Sequence, residues 1–508
     1  MMNIIYVPLD ERPCNYKFMP MLAKDTDYNV LVPPPELLGR KKTPARVEAL
    51  WNWVFENAKS AEGAILSIDM LVYGGIIPSR LHNLTAEEGK AILGKLRKLR
   101  SMNASLTIYA FNLIMRCPSY SSSDEEPDYY EDYGTEIFKS GYLGHKYELT
   151  EITKDEEAEY ALIANRLPAK ILQDYTDRRK INLEINKLTI DLLKEGIIDF
   201  LVIPQDDSAP YGFTAIDQAR LRNYISEKNA GLKVYMYPGA DEVGMTLFAR
   251  MVNESRGYRP NVYLRFSSIR SPFVIPLYED RMLYESIKYH VLCAGGLICD
   301  SLSNADMVLM VNAPAEKMLE ANLQHTKGSN YTVGRNLIEF VEYIDFVINS
   351  KKLTCAVADV AFANGGDLEL LDYLKQKNLL FKLSSYAGWN TSSNTLGTAI
   401  TQAFICHLYG ETQSHYDFLG LRYVEDAAYC AQIRKLVTEH YLPDMQLNYF
   451  RTDGPSGKVA EIVKHELQKF SDSYLSDGQH KIIIKDTYMP WSRMFEVGLE
   501  VEVKISGM

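Results

Sequence analysis

The sequence predicts an α/β protein built on a mainly parallel sheet, most simply a decorated (β/α)-barrel. Short apolar runs rich in β-branched residues recur along the chain, and amphipathic helix patterns lie between several of them. The runs are continuous rather than alternating, which indicates strands that are covered on both faces. Ten such runs exceed the eight strands of a simple barrel, so two open doubly wound sheets remain the alternative.

The candidate strands define the order of the predicted fold. Two helix patterns show the alternation most clearly, Arg179–Glu195 before the run at Phe200 and Asp280–Cys293 before the run at Met307. This order calls for parallel strands joined by crossover helices. The candidate strands are Ile4–Val7, Val30–Val32, Ala64–Ile68, Leu106–Phe111, Phe200–Ile203, Val234–Tyr237, Val262–Phe266, Met307–Val311, Cys355–Val360 and Leu380–Leu383.

Two regions interrupt the alternation and set the predicted domain boundaries. Residues 117–150 are acidic, rich in Ser and Tyr and poor in aliphatic residues, which predicts a lid-like excursion from an α/β catalytic domain of residues 1–405. The excursion follows the strand that ends at Phe111, so we expect its tyrosines to lie at the rim of the substrate site. Residues 406–508 change to helix patterns followed by two β runs, which predict a C-terminal helical and β appendage.

Composition and charge exclude several classes of protein. The 508 residues are 46% hydrophobic and 24% charged, which is typical of a folded chain and not of a disordered one. The net charge is −11 and no long basic run offsets it, so no nucleic-acid partner is expected. No apolar run is long enough to span a membrane, and the chain begins as a strand rather than as a signal peptide, so no membrane partner is expected. The seven scattered cysteines form no CxxC pair, which is typical of reduced thiols and predicts a cytoplasmic location.

Short motifs with a known mechanism do not occur. The nine histidines form no HExxH or HxH pair, so no zinc site is expected. The glycine-rich phosphate-binding motifs and the GxSxG elbow of serine hydrolases are also missing. We therefore assign no cofactor and no metal-binding residue.

Polar side chains follow nearly every candidate strand at the point where the strand ends. In parallel α/β proteins the carboxyl ends of the strands meet at one edge, where ligands bind. Residues of the same types also form turns and cap helices, which explains some of these positions. Arg12, between Pro8 and Pro13, is expected to hold an active-site carboxylate with its planar guanidinium. The candidate substrate-binding residues are Asp10, Glu11, Arg12, Asp69, Tyr73, Arg80, Asn112, Arg116, Arg265, Asn312, Tyr386, Trp389, Asn390 and Asn394.

Three pairs of adjacent acids stand out among these strand ends. Asp10-Glu11, Asp206-Asp207 and Asp241-Glu242 each place two like charges just beyond an apolar run. Such a pair costs free energy unless a proton, a cation or a hydroxyl-rich ligand lies beside it. The predicted catalytic residues are Asp206, Asp207, Asp241 and Glu242.

Three functions are compatible with these acids. The first is a glycoside hydrolase-like enzyme acting on a sugar or N-acetylhexosamine-type substrate, in which one acid orients the acetamido group and its neighbour protonates the leaving oxygen. The second is a Mg²⁺- or Mn²⁺-dependent hydrolase or lyase with Asp10, Asp69, Asp206, Asp207 and Asp241 as oxygen ligands. The third is a carbohydrate-binding protein without catalysis. In each case the partner is a small molecule or an oligosaccharide, and homo-oligomerisation is left open.

Five sequence blocks together resemble one bacterial family, the domain of unknown function 4127 family. They are VPLDERPCN at 7–15, SIDMLVYGGIIPSR at 67–80, PQDDSAPYG at 204–212, GADEVG at 239–244 and AGWNTSSNTLGTA at 387–399. The order of the blocks is specific, and they span most of the chain. The resemblance implies no activity.

A weaker and local similarity concerns two of the acid pairs. PGADEV is similar to the Gly-Asp-Glu strand end of bacterial β-hexosaminidases, and PQDD is similar to the adjacent aspartates of O-GlcNAc hydrolases. Both groups are barrels that use substrate-assisted chemistry. The similarity implies that Asp241 orients the acetamido group and Glu242 is the acid, or that Asp206 and Asp207 have those roles. The histidine that usually precedes the hexosaminidase block is replaced here by Tyr237-Pro238.

Overall fold

Eleven of the fifteen strands in the described residues are shared between two large parallel sheets, and the other four form the pairs β10–β12 and β14–β15. The structure is a computed structural model and describes residues 1–506. Within these residues the strands are β1 (Met2–Val7), β2 (Tyr28–Leu31), β3 (Gly63–Ser67), β4 (Thr107–Phe111), β5 (Phe200–Gln205), β6 (Val234–Pro238), β7 (Asn261–Phe266), β8 (Leu297–Cys299), β9 (Met307–Asn312), β10 (Leu319–Glu320), β11 (Thr354–Asp359), β12 (Phe362–Ala363), β13 (Ser385–Ala387), β14 (His480–Tyr488) and β15 (Gly498–Ile505).

Helices fill most of the connections between these strands. The α-helices are α1 (Pro13–Tyr16), α2 (Phe18–Ala23), α3 (Val47–Asn57), α4 (Ile68–Tyr73), α5 (Pro78–Leu81), α6 (Ala86–Leu93), α7 (Lys95–Met102), α8 (Tyr130–Glu148), α9 (Lys154–Arg166), α10 (Ala169–Lys194), α11 (Phe213–Glu227), α12 (Val243–Ser255), α13 (Leu283–Cys293), α14 (Ser329–Thr332), α15 (Leu337–Asp345), α16 (Leu368–Gln376), α17 (Ser392–Tyr409), α18 (Gln413–Arg422), α19 (Arg434–His440) and α20 (Lys458–Phe470). Three π-helical segments continue α15, α18 and α20, at Phe346–Lys351, Tyr423–Ile433 and Ser471–Leu475. No helix within residues 1–506 has both the length and the apolar composition needed to cross a membrane.

The first sheet has six parallel strands in the order β2-β1-β3-β4-β5-β6. Its central strands are buried along their length, as β3 and β5 illustrate. Burial on both faces is what the continuous apolar runs predicted. The order places the topological switch point between β1 and β3, where connections leave in opposite directions and ligands commonly bind.

The second sheet has five parallel strands in the order β13-β11-β9-β7-β8. If these five strands are numbered in chain order, the sheet reads 2-1-3-4-5 from its β8 edge. Its switch point lies between β7 and β9. β9 and nearly all of β11 are buried, whereas five of the six residues of β7, all but Val262, are only partly buried. The mainly parallel α/β class is therefore confirmed, with one six-stranded and one five-stranded parallel sheet in the described residues.

The chain divides into two compact units, each built around one of these sheets. The first unit comprises residues 1–11, 28–244 and 278–280, and the second comprises residues 12–27, 245–277 and 281 onward. Residues after 406 lie in the second unit, where the antiparallel pair β14–β15 contacts α18 and α20. Helix and β elements thus follow residue 406 as the sequence predicted.

Residues 117–150 combine a loop with a long helix rather than a single irregular excursion. Tyr130–Glu148 forms α8, and Tyr130 and Ile137 of this helix are buried in an apolar cluster with Ile163 of α9 and Tyr175 of α10. The loop before α8 is held by ion pairs of Lys41 with Asp124 and of Lys42 with Asp128. Only this loop, residues 118–129, keeps the irregular backbone that the sequence suggested.

One predicted strand is wrong. Leu380–Leu383 forms a 3₁₀ turn at Leu380–Lys382, and the strand is the following segment, β13. Leu380 and Phe381 are buried in the turn, so their apolar character reflects burial and not strand pairing. Apolarity alone does not distinguish the two in a run this short.

Candidate active site

The predicted site residues of the first unit lie at the carboxyl edge of the first sheet. Asp10 and Asp69 follow β1 and β3, on the two sides of the switch point. The other residues that follow strands of this sheet are Glu11 after β1, Tyr73 and Arg80 after β3, Asn112 and Arg116 after β4, Asp206 and Asp207 after β5, and Asp241 and Glu242 after β6.

Arg80 is nearly inaccessible and contacts three carboxylates. It belongs to the short helix α5, and 2% of its side chain is exposed. Its Nη2 donates to Asp206 Oδ2 at 2.7 Å, and its Nη1 donates to Glu125 Oε2 and Glu126 Oε1, each at 3.2 Å. Hydrogen bonds between guanidinium and carboxylate are charge-assisted and fix the orientation of both groups.

Arg116 repeats this arrangement after the neighbouring strand. Its Nη1 donates to Asp207 Oδ2 at 3.2 Å, its Nε to Glu126 Oε1 at 2.8 Å and its Nη2 to Glu125 Oε2 at 3.0 Å. Glu126 is fully buried and accepts from both arginines through the same oxygen. We refer to this group as the arginine–carboxylate cluster; its members are Arg80, Arg116, Glu125, Glu126, Asp206 and Asp207.

The charges of the cluster do not balance when every group is ionised, because four carboxylates face two guanidinium groups. Burial and the neighbouring Asp206 raise the pKa of Asp207 to about 7, against the opposing effect of Arg116 and Arg80. A proton on Asp207 removes one negative charge from the cluster. The backbone of Asp207 has φ of 46°, a left-handed conformation that is unfavourable for a residue other than glycine.

A second buried carboxyl lies at the switch point. Asp69 accepts hydrogen bonds from the Leu113 N–H at 2.9 Å and from Asn112 Nδ2 at 3.3 Å. Burial nevertheless raises the pKa of Asp69 to about 6. The Tyr73 ring stacks on His82 with centroids 4.6 Å apart, and its buried hydroxyl has no hydrogen-bond partner within the described residues.

Accessibility separates the predicted acid pairs. The side chains of Asp206 and Asp207 are 21% and 28% exposed. Asp241 is 6% exposed and Glu242 is fully buried. Solvent therefore reaches the Asp206-Asp207 pair, whereas the Asp241-Glu242 pair is buried.

Glu125 and Glu126 are members of the cluster that sequence reasoning did not select as site residues. They lie in the loop before α8 and follow no strand, so the strand-end criterion omitted them. They belong to the acidic run Asp124-Glu125-Glu126, which is followed by Pro127. Adjacent acids also occur elsewhere in the chain, for example at Glu87-Glu88 and Glu131-Asp132, so acid pairing alone would not have singled them out.

The other predicted site residues belong to the second unit. Asn312, at the end of β9, donates to Asp359 Oδ1 at 2.9 Å, and the Tyr386 hydroxyl donates to Asp359 Oδ2 at 2.9 Å. Burial, with Asp367 nearby, raises the pKa of Asp359 to about 6. Asp367 in turn forms an ion pair with Arg335 at 2.6 Å, and neither side chain is exposed. This buried network orders the ends of β9, β11 and β13.

Arg12, Trp389 and Asn390 line one narrow cavity of the second unit, together with Glu425. Its volume of about 20 Å³ suits one water molecule and not a sugar ring. The Arg12 guanidinium lies over the Trp491 ring at 4.8 Å.

Trp389 and Asn394 have structural contacts in the second unit. Trp389 is 7% exposed and its indole N–H donates to the Thr398 hydroxyl at 3.1 Å. The Asn394 N–H is capped by Thr391 at the start of α17. Arg265, the remaining predicted residue, forms an ion pair with Glu339 and stacks on Tyr343.

The predicted site residues thus divide between the two units. Within residues 1–506, no group of three or more His, Cys, Asp or Glu side chains is arranged to hold a metal ion. The acids of the arginine–carboxylate cluster instead face guanidinium groups.

Comparison with known proteins gives one result at the level of the family. No curated protein matches the chain. A family model does match, over residues 4–500, and it covers all five sequence blocks quoted above. The chain belongs to the family described as proteins of unknown function (DUF4127).

Proposed function

We propose that the chain is a glycoside hydrolase-like enzyme that acts on an N-acetylhexosamine-type substrate through Asp206 and Asp207. The observation that supports this is the accessible pair of adjacent carboxylates at the end of β5, each held by a different arginine. The cytoplasmic location predicted from the sequence is part of the proposal. The activity assay described below does not depend on that location.

Asp207 is the proposed general acid. Its pKa of about 7 leaves about half of the carboxyls protonated in neutral solution, where an ordinary aspartate is almost fully ionised. That proton passes to the glycosidic oxygen as its bond to the anomeric carbon breaks. The resulting carboxylate then accepts a proton from the water that completes hydrolysis.

Asp206 is the proposed positioning residue for the substrate's acetamido group. Arg80 fixes its Oδ2 at 2.7 Å, which leaves Oδ1 to accept the acetamido N–H. This hydrogen bond makes the acetamido oxygen a better nucleophile towards the anomeric carbon. Because the acetamido oxygen attacks first and water second, the product retains its anomeric configuration.

The alternative of a Mg²⁺ or Mn²⁺ enzyme receives less support from the same contacts. Hard cations bind carboxylate oxygens that are directed at one point. Asp206, Asp207, Glu125 and Glu126 are directed at Arg80 and Arg116, whose positive charges would repel a divalent cation.

The test is a hydrolysis assay with aryl N-acetylhexosaminides and the matching aryl hexosides. Wild-type protein is compared with Asp207→Asn and Asp206→Asn, and with Asp155→Asn, an exposed acid in the first turn of α9, as the matched control. We expect N-acetylhexosaminides to be cleaved in preference to hexosides. Both site variants should lose at least about 100-fold in kcat/KM, while the control keeps wild-type activity.

Three outcomes would contradict the proposal. Equal cleavage of hexosides would remove the acetamido group from the mechanism. Turnover that EDTA abolishes and Mg²⁺ or Mn²⁺ restores would favour the metal-dependent alternative. Saturable binding of the sugar without product would favour a carbohydrate-binding protein.

A further inference from the structure

A crevice opens at the switch point of the second sheet, in a unit that contains neither Asp206 nor Asp207. The connections from β7 and β9 diverge there, because β7 leads to β8 on one side and β9 leads to β11 on the other. Open α/β sheets bind ligands at this position, outside the carboxyl ends of the strands. The crevice therefore lies where the fold itself provides a binding site.

The size and rigidity of the crevice suit a small organic molecule. Its volume is about 780 Å³, within the range of ligand pockets. One wall is the loop after β7 and the other is the segment Thr332–Asn336 before α15. The Ser268 hydroxyl donates to the Gly334 carbonyl at 2.6 Å, and the Asn336 N–H donates to the Ser267 carbonyl at 2.8 Å, so the two walls are joined without a ligand.

The floor of the crevice carries an accessible arginine. Arg265 projects from β7, its side chain is 36% exposed, and it forms an ion pair with Glu339. Glu339 lies in the first turn of α15, where the positive end of the helix dipole compensates a negative charge. An incoming anion would therefore compete with Glu339 for the guanidinium of Arg265, and Glu339 would keep a favourable position in the first turn of α15 when displaced.

Apolar side chains adjoin this charge. Pro272 lines the crevice, and Ile269 and Val333, which also line it, are 93% and 80% exposed. A ligand that combines an anionic group with an apolar body would contact both parts.

We propose that this crevice is a second ligand site, which binds a small organic phosphate or carboxylate with its anionic group on Arg265 and its apolar body against Ile269, Pro272 and Val333. The site is separate from the proposed hydrolase chemistry and goes beyond it. Phosphate and carboxylate share the recognition by a planar guanidinium, and the experiment distinguishes them.

The test is isothermal titration of the full chain with phenyl phosphate, benzoate and inorganic phosphate. Arg265→Gln removes the charge from the crevice floor, and Val333→Trp fills the crevice from an exposed position that does not contribute to the core. Arg270→Gln is the matched control, because Arg270 is five residues away and forms its ion pair with Glu316 outside the crevice.

We expect one molecule of phenyl phosphate or benzoate to bind per chain, with the tighter of the two identifying the preferred anion. Arg265→Gln and Val333→Trp should each weaken binding at least tenfold, and Arg270→Gln should leave it unchanged. Binding that both crevice variants leave unchanged would overturn the proposal, as would no saturable binding of either organic anion. Inorganic phosphate that binds as tightly as phenyl phosphate would overturn the role of the apolar residues. If Arg265→Gln lowers the melting temperature, its weaker binding could reflect a loss of folded protein. The binding measured with Val333→Trp then decides whether the crevice is the ligand site.

Discussion

Arg80 and Asp206 are 126 positions apart in the chain, and a 2.7 Å hydrogen bond joins Nη2 of the one to Oδ2 of the other. Arg80 follows β3 and Asp206 follows β5, so this contact passes the end of the strand between them, β4. Arg116 follows β4 and donates a hydrogen bond to Asp207, the residue next to Asp206. Three neighbouring strand ends are thereby held in one arrangement by two guanidinium groups.

Replacement of Arg80 by lysine should disrupt this arrangement while it preserves the charge. A single ammonium cannot reach Asp206, Glu125 and Glu126 in the geometry that the planar guanidinium satisfies. We expect Arg80→Lys to lower the free energy of unfolding by about 1–3 kcal/mol, measured with urea. Activity towards aryl N-acetylhexosaminides should fall by about 10- to 100-fold, because Asp206 loses its fixed orientation.

The matched control for this change is Arg97→Lys. Arg97 also forms a bidentate pair, with Glu195, but both side chains are nearly half exposed. An exposed pair contributes at most about 1 kcal/mol, so the control should be close to wild type. An Arg80→Lys effect no larger than that of Arg97→Lys would mean that the cluster does not depend on the guanidinium geometry.

Replacement of Asp207 by asparagine should stabilise the protein at neutral pH. The pKa of Asp207 is about 7 in the folded state and about 3.9 in the unfolded chain, so folding takes up a proton between these values. The stability associated with the bound proton is complete below pH 4 and is lost as the pH rises to 7. Asparagine needs no proton, so Asp207→Asn should gain about 1–3 kcal/mol over wild type at pH 7 and nothing at pH 4.

Urea unfolding of both proteins between pH 4 and pH 8 measures this difference. An equal pH dependence of wild type and Asp207→Asn would mean that the Asp207 carboxyl is ionised throughout. A variant that is more stable and yet inactive is the expected behaviour of a residue retained for function at the expense of stability.

The strands were predictable because their signal is local. Nine of the ten candidate runs fall on strands, and the buried β3 and β5 gave the clearest patterns. The edge strand β8 was not predicted, because Leu297–Cys299 has three residues and remains partly exposed. The distribution of strands over two sheets depends on which strands pair, and pairing leaves no signature in a run of apolar residues.

The candidate site was predictable only in part, for a related reason. Asp206 and Asp207 were identified by their adjacency after an apolar run, which is a property of the sequence. Their accessibility, compared with the burial of Glu242, depends on residues distant in the chain. The approach of Glu126 to both Arg80 and Arg116 likewise depends on how the loop before α8 folds back over the sheet edge.

Two buried aspartates of the second unit should differ in the effect of their substitution on stability. Asp367→Asn leaves the unexposed guanidinium of Arg335 without its closest carboxylate and should cost about 3–5 kcal/mol. The pKa of Asp426 is raised to about 8, chiefly by burial, so its carboxyl carries a proton at pH 7. Asp426→Asn replaces that neutral group by another and should not lower the free energy of unfolding at pH 7.

Urea unfolding at pH 7 distinguishes these two variants. Glu342→Gln, which breaks the exposed pair with Lys377, is the control and should cost less than about 1 kcal/mol. A loss at Asp426→Asn as large as that at Asp367→Asn would mean that Asp426 is ionised and balances the charge of Arg422.

Tyr120 offers the clearest test of the loop before α8 as the rim of the substrate site. The residue is 49% exposed, and its hydroxyl lies 3.4 Å from Arg116 Nη2, beside the arginine–carboxylate cluster. An exposed aromatic face at this position can contact the CH face of a sugar, an interaction of about 1 kcal/mol. Tyr120→Ala should therefore raise KM for aryl N-acetylhexosaminides about three- to tenfold and leave kcat within twofold of wild type.

Tyr147→Ala removes a tyrosine that is 53% exposed near the end of α8 and serves as the control. The melting temperatures of both variants should equal that of wild type, because neither ring is buried. Equal KM values for the two variants would show that Tyr120 does not touch the substrate, and a fall in kcat alone would indicate that it acts on Arg116 instead.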